Sequence, residues 1–238
     1  NIQAIKYLSL TKKLHPAFNF LQIIFFFCLL AVIVFTSVEF ALSKNLIKET
    51  QNETKVVHTA TLRLQATLSC WLWSLVTPAN HTTIPFATMT YFIGQSALNL
   101  TAYNSLLKEQ ISVISNQDLL DKAFAKDVRY IQLPVQGDNN ENSLDTFTAT
   151  DILVNKYFEF SRARNFNEIL SIPDYFLTLN NTGNDYLISS NGLNNKIDLM
   201  LRDTISTDIL ILNGVLIGEI LALLTLGSLL IIMAFIIC

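Results

Sequence analysis

Two long apolar stretches dominate the pattern of hydrophobic and polar positions along the chain. The first, at 17–42, reads AFNFLQIIFFFCLLAVIVFTSVEFAL and carries no charge until Glu39, and the second, at 209–238, has Glu219 as its one acidic or basic side chain. A helix needs about 20 apolar residues to cross the roughly 30 Å hydrocarbon core of a bilayer. Both stretches are therefore predicted to be transmembrane helices; the alternative for each is the core helix of a soluble protein.

The ends of the chain bear on the orientation of these spans. The lead at 1–16 carries Lys6, Lys12 and Lys13 without an acidic residue, and further lysines follow the first span. Because lysine and arginine favour the cytoplasmic side of a span, we expect a cytoplasmic lead and an extracellular segment at 43–208. The chain starts at an asparagine and stops within the second span, so we also expect it to be a segment of a longer polypeptide.

The segment between the spans is predicted to be helical throughout. The clearest signal is an unbroken heptad pattern with steps of four and three residues and one polar member, at Ile93, Ala97, Leu100, Asn104, Leu107, Ile111 and Ile114. This spacing is typical of helices that pack along a shared seam. A polar residue within such a seam often fixes the register at a cost in stability, and Asn104 is predicted to have this role.

Weaker stripes complete the predicted helices. One stripe follows Val57, Ala60, Leu64, Thr67 or Leu68, and Trp71, with Glu53 as a polar exception before it, and another follows Leu120, Phe124, Val128 and Ile131. Together with proline and glycine positions, the stripes predict helices at about 43–77, 86–133, 143–164 and 172–208, with strand content close to nil. The sequence NNTGN at 180–184 is expected to interrupt the last helix. The predicted fold is all-α: two transmembrane helices bracketing an extracytoplasmic up-down four-helix bundle.

Composition narrows the range of functions. Hydrophobic residues make up 51% of the chain and charged residues 15%, and the net charge of −3 argues against a nucleic-acid partner. The three histidines are isolated from one another and from the cysteines, and no phosphate-binding glycine loop or nucleophile motif is present. We predict a protein that is not an enzyme and has no cofactor or metal. Its expected partners are the lipid bilayer and other membrane protein chains, a second copy of itself among them; the sequence identifies no small-molecule ligand.

Four N-glycosylation sequons lie between the spans, at Asn52, Asn80, Asn99 and Asn180. They agree with an extracellular segment and predict a glycoprotein. Since the chain is rich in Asn, Ser and Thr, a similar number of sequons is expected by chance, and they do not establish the orientation alone.

Candidate ligand-binding residues are of two kinds. An aromatic cluster would be either a ligand pocket or part of the bundle core, and it consists of Trp71, Trp73, Tyr91 and Phe92. A set of arginines could bind an anion between helices or form solvated ion pairs, and it consists of Arg63, Arg129, Arg162, Arg164 and Arg202.

Contacts between chains could use a cysteine or the last span. Cys70 is the one cysteine between the spans, so it would form either an intermolecular disulfide or a small buried thiol. Gly214 and Gly218 have the spacing that lets two membrane helices approach closely. Glu219 would lie either at the membrane interface or inside the span with a polar partner, and the latter would imply a function.

The layout resembles two known kinds of protein. Two spans around a helical bundle are similar to the sensory modules of bacterial chemoreceptors and histidine kinases, in architecture rather than in motif. The stretch DYFLTLNNTGNDYLISSNGLNNKID at 174–198, which leads into the last span, resembles more narrowly the large multispan tiny-macrocysts-type proteins of ciliates. That resemblance covers the last third of the chain, has no catalytic signature, and implies a plasma or ciliary membrane protein with further spans elsewhere.

These features predict a sensory or signal-transmitting module, because a bundle helix continuous with a span gives a mechanical route across the membrane. The alternative is a non-enzymatic structural subunit of a large membrane or ciliary assembly, which binds partner proteins through the bundle; a broad exposed apolar patch would favour it. A subunit of the mitochondrial inner membrane is a third hypothesis, which a glycan at any sequon would exclude.

Overall fold

The computed structural model describes residues 2–79, 83–114, 116–132 and 141–237, and side chains within 19–78, 83–114, 116–132 and 142–235. This part of the chain is mostly helical. Its elements in chain order are α1 (Ile2–Val76), a 3-10 turn (Thr77–Ala79), α2 (Phe86–Val113), α3 (Gln117–Ala123), β1 (Val128–Ile131), β2 (Glu141–Leu144), α4 (Thr146–Ser161), α5 (Phe166–Leu170), α6 (Tyr175–Asn181), a π turn (Thr182–Tyr186) and α7 (Leu187–Ile237).

The residues fall into two compact units. Unit 1 comprises Asn1–Thr50 and Asp203–Cys238, and unit 2 comprises Gln51–Arg202. Both predicted spans lie in unit 1, and α1 and α7 each contribute residues to both units. The predicted lead at 1–16 is part of α1 from Ile2 onward.

In unit 1, α1 and α7 are long and apolar enough to cross a membrane. Their apolar segments leave large side chains uncovered: Phe26 is 66% exposed, Phe40 73% and Phe235 82%. This exposure agrees with the predicted spans, because a core helix would bury such side chains among the residues described here.

In unit 2, α2 presents the predicted heptad seam to the interior. Six of the seven seam residues are buried, from Ile93 to Ile111, and Ile114 is partly buried at the end of the helix. α2 packs chiefly against α4, whose own buried positions follow helical spacing from Phe147 through Leu153 to Phe160. The predicted seam is therefore buried along α2, with Asn104 inside it, and a role of Asn104 in fixing the register stays a prediction.

The stripe predicted for the first helix of unit 2 is displaced by about one position. The most buried face of α1 contains Val56, Ala60, Arg63, Thr67, Cys70 and Ser74, whereas Leu64, Leu68 and Trp71 are only partly buried. The steps are again four and three residues, but the face combines small and polar side chains with an arginine. Of the predicted positions, Ala60 and the alternative Thr67 lie on the buried face, whereas the large apolar residues lie beside it.

The helix predicted at 86–133 is wrong beyond Val113. Ile114 is extended, and Asn116 begins a new short helix, α3, by accepting a hydrogen bond from the Leu119 amide at 3.0 Å. β1 and β2 then pair antiparallel, with Val128 opposite Leu144, so the expectation of almost no strand is also wrong here. Alternation in the sequence Val-Arg-Tyr-Ile explains the strand, because it buries Val128 and Tyr130 and exposes Arg129.

The helix predicted at 143–164 corresponds to α4, which Asp145 caps by accepting hydrogen bonds from the Phe147 and Thr148 amides. The helix predicted at 172–208 is divided into α6, the π turn and α7. The expected interruption at 180–184 is confirmed, because Asn184 has non-helical dihedral angles of φ −103° and ψ −112°. The division places residues of α6 and the π turn beside β1.

Candidate functional site: a buried arginine between four helices

The side chain of Arg63, on α1, is completely buried at the centre of unit 2. Its Nε donates to Oδ1 of Asn104 on α2 at 2.9 Å, and its Nη1 donates to Oγ of Ser190 on α7 at 3.3 Å. Its Nη2 donates to the carbonyl oxygen of Thr146 at 3.0 Å and to Oγ1 of Thr150 at 2.7 Å, both on α4. One guanidinium group thus joins α1 to α2, α4 and α7.

Among the residues that the structure describes, no carboxylate accepts a hydrogen bond from this guanidinium. Its acceptors are all neutral groups. Asn104 connects the guanidinium to a carboxylate, since its Nδ2 donates to Oδ1 of Asp151 at 2.8 Å as well as to the carbonyl oxygen of Phe147 at 3.2 Å. Burial lowers the pKa of Arg63, and the Asp151 and Asp145 carboxylates counteract this. Arginine nevertheless stays protonated in proteins, so the centre is a permanent buried cation.

Two aromatic rings cover the faces of the guanidinium. The Arg63 Cζ atom lies 5.1 Å from the centre of the Phe147 ring and 5.8 Å from that of Tyr186. The Tyr186 hydroxyl shares hydrogen bonds with Oγ1 of Thr150 at 2.8 Å and Oγ1 of Thr67 at 3.4 Å. A desolvated cation gains from such ring faces, so the rings stabilise the charge where water is excluded.

A second chain of polar contacts extends the centre to the surface. Oγ1 of Thr146 lies 2.9 Å from Oγ of Ser189, which donates to Oδ1 of Asp127 at 2.6 Å, and Lys122 pairs with the same carboxylate. Burial alone would raise the pKa of Asp127, but the bonds from Lys122 and Ser189 outweigh it and hold the pKa below its usual range. α3, α4 and α7 are connected through these groups.

This arrangement suits positioning rather than ligand capture. The guanidinium is enclosed by its protein acceptors, so an incoming anion would have to displace several hydrogen bonds. Its buried charge is tolerated only while those acceptors stay in place, because an unpaired buried charge is strongly unfavourable. Among the described residues, no group of three or more His, Cys, Asp or Glu side chains is placed to hold a metal ion.

The other predicted arginines differ from Arg63. Arg129 pairs with Asp185 at 3.3 Å and Arg202 pairs with Asp198 at 2.8 Å, in both cases near the surface. Sequence reasoning placed Arg63 in this same group and missed its hydroxyl partners. The available signal was its position on the α1 face at 56, 60, 63, 67, 70 and 74, which has the same spacing as the α2 seam.

The predicted aromatic cluster is distributed over two contacts. Trp73 and Phe92 stack with ring centres 4.8 Å apart and planes inclined by 17°, and Tyr91 is 61% exposed beside them. Trp71 instead donates from Nε1 to the carbonyl oxygen of Leu179 at 3.0 Å, at the end of α6. A ligand pocket formed by these four residues stays a prediction.

Cys70 is fully buried in the core of unit 2, and burial raises the pKa of its thiol. Of the two alternatives for this residue, the structure agrees with the buried thiol, because a disulfide to another chain would need a sulfur at the surface.

The two glycines of the last span have different surroundings in unit 1. A Cβ atom at Gly218 would lie 3.1 Å from the Phe35 ring of α1, so this glycine serves a contact within the chain, whereas a Cβ at Gly214 would meet no atom within 4 Å. Next to Gly218, Oε1 of Glu219 accepts a hydrogen bond from Oγ1 of Thr36 at 2.8 Å. Glu219 therefore has a polar partner, and a helix–helix interface through both glycines stays a prediction.

Three of the predicted glycosylation sites, Asn52, Asn99 and Asn180, are exposed in unit 2. Asn80 lies outside the described residues. The exposure permits modification at the three sites and leaves its occurrence a prediction.

Comparison with known proteins gives no assignment: no protein-family model, curated protein or solved structure matches the chain.

Proposed function

We propose that the chain is part of an integral membrane protein whose unit 2 is an extracytoplasmic sensory module in the form of a four-helix bundle. The apolar parts of α1 and α7 cross the membrane. The exposure of their large side chains in unit 1 supports this. The bundle consists of the unit 2 parts of α1, α2, α4 and α7. The three exposed sequons all belong to unit 2, as an extracellular bundle requires.

The observation that carries the proposal is the single guanidinium of Arg63 bonded to three other helices. α1 and α7 contain both the apolar segments and two of the elements that meet at Arg63. A ligand that shifts α7 against α1 changes the Arg63–Ser190 contact and moves the same two helices along their axes. Shifts of about 1–2 Å between packed helices are a known form of switching, because packed interfaces have discrete arrangements.

The orientation is tested by glycan analysis. The full chain is expressed in a eukaryotic secretory system, and its mass is compared before and after peptide-N-glycosidase treatment, with Asn52→Gln, Asn99→Gln and Asn180→Gln variants as controls. A mass shift that one of these variants removes supports the extracellular bundle and excludes the mitochondrial inner membrane. A fully unmodified chain contradicts the proposed orientation.

The signalling role is tested by distances between the spans. Nitroxide labels at Phe27→Cys and Leu230→Cys, two exposed positions of unit 1, report the span separation in lipid nanodiscs by double electron–electron resonance. Arg63→Lys keeps the charge and removes the planar fork, so it is expected to change or broaden the distance distribution. The matched control is Arg202→Lys in an exposed pair. An unchanged distribution in folded Arg63→Lys protein contradicts signal transmission through the centre.

A structural subunit is the second candidate function, and the outer face of α2 favours it. Tyr91, Leu98, Leu106 and Val113 are 61%, 52%, 43% and 79% exposed and follow one side of the helix at steps of about two turns. Such a stripe is suited to a partner helix. Under this alternative, Leu98→Glu with Leu106→Glu abolishes assembly into the native complex, seen by native electrophoresis, while the span distances stay unchanged.

A further inference from the structure

A cavity of about 260 Å³ lies between β1, α4 and the start of α6 in unit 2. Its volume is below the roughly 300–1,000 Å³ of pockets for drug-sized ligands, so the cavity suits a smaller molecule. Its wall has two chemically different parts. Ile131, Ile152 and Leu177 contribute apolar surface, and Lys156 and Asp174 contribute charged groups.

Asp174 occupies the N-cap position of α6, but its carboxylate makes no capping hydrogen bond. The N-cap side chains of α3, α4 and α5, which are Asn116, Asp145 and Asn165, all accept hydrogen bonds from amides of their own helices, as is usual at this position. Oδ2 of Asp174 instead pairs with Nζ of Lys156 at 2.9 Å. Among the described residues, Oδ1 of Asp174 has no hydrogen-bond partner, so one oxygen of this carboxylate is left for a ligand.

The charges at this end of the cavity favour a cationic ligand. Nζ of Lys156 also lies 3.2 Å from Oε2 of Glu159, so two carboxylates share one ammonium group. The bond to Asp174 and, less strongly, the bond to Glu159 raise the pKa of Lys156, which is protonated at neutral pH. One positive and two negative charges repel an anion and attract a cation. The side chains of Lys156 and Asp174 are 25% and 29% exposed, so the charged end is accessible from solvent.

We propose that this cavity binds a small aliphatic primary amine. The ligand ammonium pairs with Oδ1 of Asp174, and the hydrocarbon part packs against Ile131, Ile152 and Leu177. An inorganic cation would leave the apolar wall uncovered, and a neutral hydrocarbon would leave the carboxylate oxygen without a partner. A protonated amine with an apolar body satisfies both parts of the wall.

The cavity shares α4 with the Arg63 centre. Nη2 of Arg63 donates to the carbonyl oxygen of Thr146 and to Oγ1 of Thr150, and the cavity residues Ile152 and Lys156 follow on the same helix. The inference therefore names the ligand class of the sensory function proposed above. Transmission from the cavity to the spans rests on that function, whereas binding is measured separately.

Binding is measured by isothermal titration calorimetry on the full chain in lipid nanodiscs, with empty nanodiscs as the blank. Isopentylamine is the expected ligand. Isopentanol has the same hydrocarbon part without a charge, isovalerate has a similar one with a negative charge, and methylamine has the ammonium group without the apolar body. Each of these three compounds is expected to bind about tenfold more weakly than isopentylamine, or not at all.

Variants of the charged pair identify the site. Asp174→Asn removes the anion and is expected to weaken isopentylamine binding by about tenfold or more, whereas Asp198→Asn, in the exposed pair with Arg202, leaves it unchanged. Lys156→Met removes the competing ammonium and is expected to tighten binding by about tenfold, because the ligand then pairs with carboxylates that have lost their own partner. A purely structural role of the Lys156–Asp174 pair would not give these opposite effects.

Leu177→Trp is the second test of the site. It fills the cavity from its apolar side and leaves the Lys156–Asp174 pair intact, so it is expected to abolish binding even if Asp174→Asn lowers the melting temperature.

Four results overturn the inference: no binding of isopentylamine, binding of isopentanol or isovalerate at least as tight as that of the amine, amine binding that Asp174→Asn and Leu177→Trp leave unchanged, and weaker amine binding by folded Lys156→Met protein. If isopentylamine binds in the cavity but leaves the distance between the labelled spans unchanged, the binding site stands and the proposed sensory function fails.

Discussion

The Nε of Arg63 donates to Oδ1 of Asn104 over 2.9 Å in the interior of unit 2, where both side chains are buried. Arg63 is the charged member of the buried α1 face, and Asn104 is the polar member of the α2 seam. Asn104 uses its other atoms as well, because Nδ2 donates to Phe147 and Asp151 of α4. We therefore expect the two polar positions to fix the relative register of three helices, because apolar seams alone allow neighbouring helices to slide.

This pairing predicts strong thermodynamic coupling between Arg63 and Asn104. Arg63→Met leaves several buried acceptors unpaired and is expected to lower the free energy of unfolding by about 3–5 kcal/mol. Asn104→Leu leaves the Arg63 Nε unpaired and is expected to lower it by about 1–3 kcal/mol. The double variant removes both partners, so its loss falls short of the sum by about 0.5–3 kcal/mol.

The measurement for this double-mutant cycle is denaturant unfolding followed by tryptophan fluorescence. Both tryptophans of the chain, Trp71 and Trp73, lie in unit 2 and report its unfolding. Arg202→Met, in a surface ion pair, is the control and is expected to change the stability by less than about 1 kcal/mol. Additive losses from the two central substitutions would contradict a direct role of the Arg63–Asn104 bond.

The close approach of Trp71 to Gly183 predicts that the π turn tolerates no side chain there. A Cβ at Gly183 would lie 3.0 Å from Cζ2 of Trp71, and the indole is already tied to the Leu179 carbonyl oxygen. Gly183→Ala is expected to lower the free energy of unfolding by about 1–3 kcal/mol, because the ring or the turn has to shift. Thermal unfolding and the fluorescence maximum of the tryptophans measure the change.

Gly192→Ala is the matched control for this substitution. Gly192 is in α7, and a Cβ there meets only the flexible Lys122 side chain at 3.4 Å. Alanine favours a helix interior over glycine by about 1 kcal/mol, so this variant is expected to be neutral or more stable. Equal destabilisation by both substitutions would show that the indole contact has no special role.

The Asp127 carboxylate predicts a pH dependence of stability. Its pKa is lowered in the folded state because the bonds from Lys122 and Ser189 outweigh burial, and the ordinary value for aspartate is about 3.9. A lowered folded pKa contributes stability that is present above the unfolded value and lost as the pH falls through the folded value. Asp127→Asn is therefore expected to reduce the stability at neutral pH and to flatten its decline below about pH 4.

Denaturant unfolding at a series of pH values measures this effect. Asp118 contributes a slope of the same sign, because its hydrogen bond with Lys196 lowers its pKa, so Asp127→Asn removes only part of the decline. The control is Asp121→Asn at an exposed position of α3. If Asp127→Asn retains the full acid sensitivity of the unmodified chain, the contact with Ser189 and Lys122 does not stabilise the fold.

The two seams show how far sequence reasoning reaches in unit 2. The α2 seam was predictable because six of its seven members are apolar, and Asn104 stood out as the exception. The α1 seam was not, because its central residue is Arg63 and its neighbours Thr67 and Ser74 are polar. Buried arginine is rare unless its partners are in place, and those partners come from α2, α4 and α7, far along the chain.

The β-hairpin was missed for a different physical reason. Leu120, Phe124, Val128 and Ile131 follow helical spacing by accident, whereas the structure buries Leu119 and Ala123 in α3 and then Val128 and Tyr130 in a strand. Four residues are too few for alternation to compete with that pattern.

The burial of Cys70 predicts a thiol that is unreactive while unit 2 is folded. Its side chain is fully buried, and burial raises its pKa, so little nucleophilic thiolate forms at neutral pH. In a chain with Cys28→Ser and Cys238→Ser, we expect maleimide to label Cys70 only under denaturing conditions and oxidation to give no disulfide-linked dimer. As a control, Cys70→Ser with Gln65→Cys places the thiol at an exposed position on the same helix, where rapid labelling is expected.

Because access to Cys70 requires opening of the core, its labelling rate in dilute denaturant should follow the stability of unit 2. A covalent dimer in the folded state that Cys70→Ser abolishes would instead establish the intermolecular disulfide.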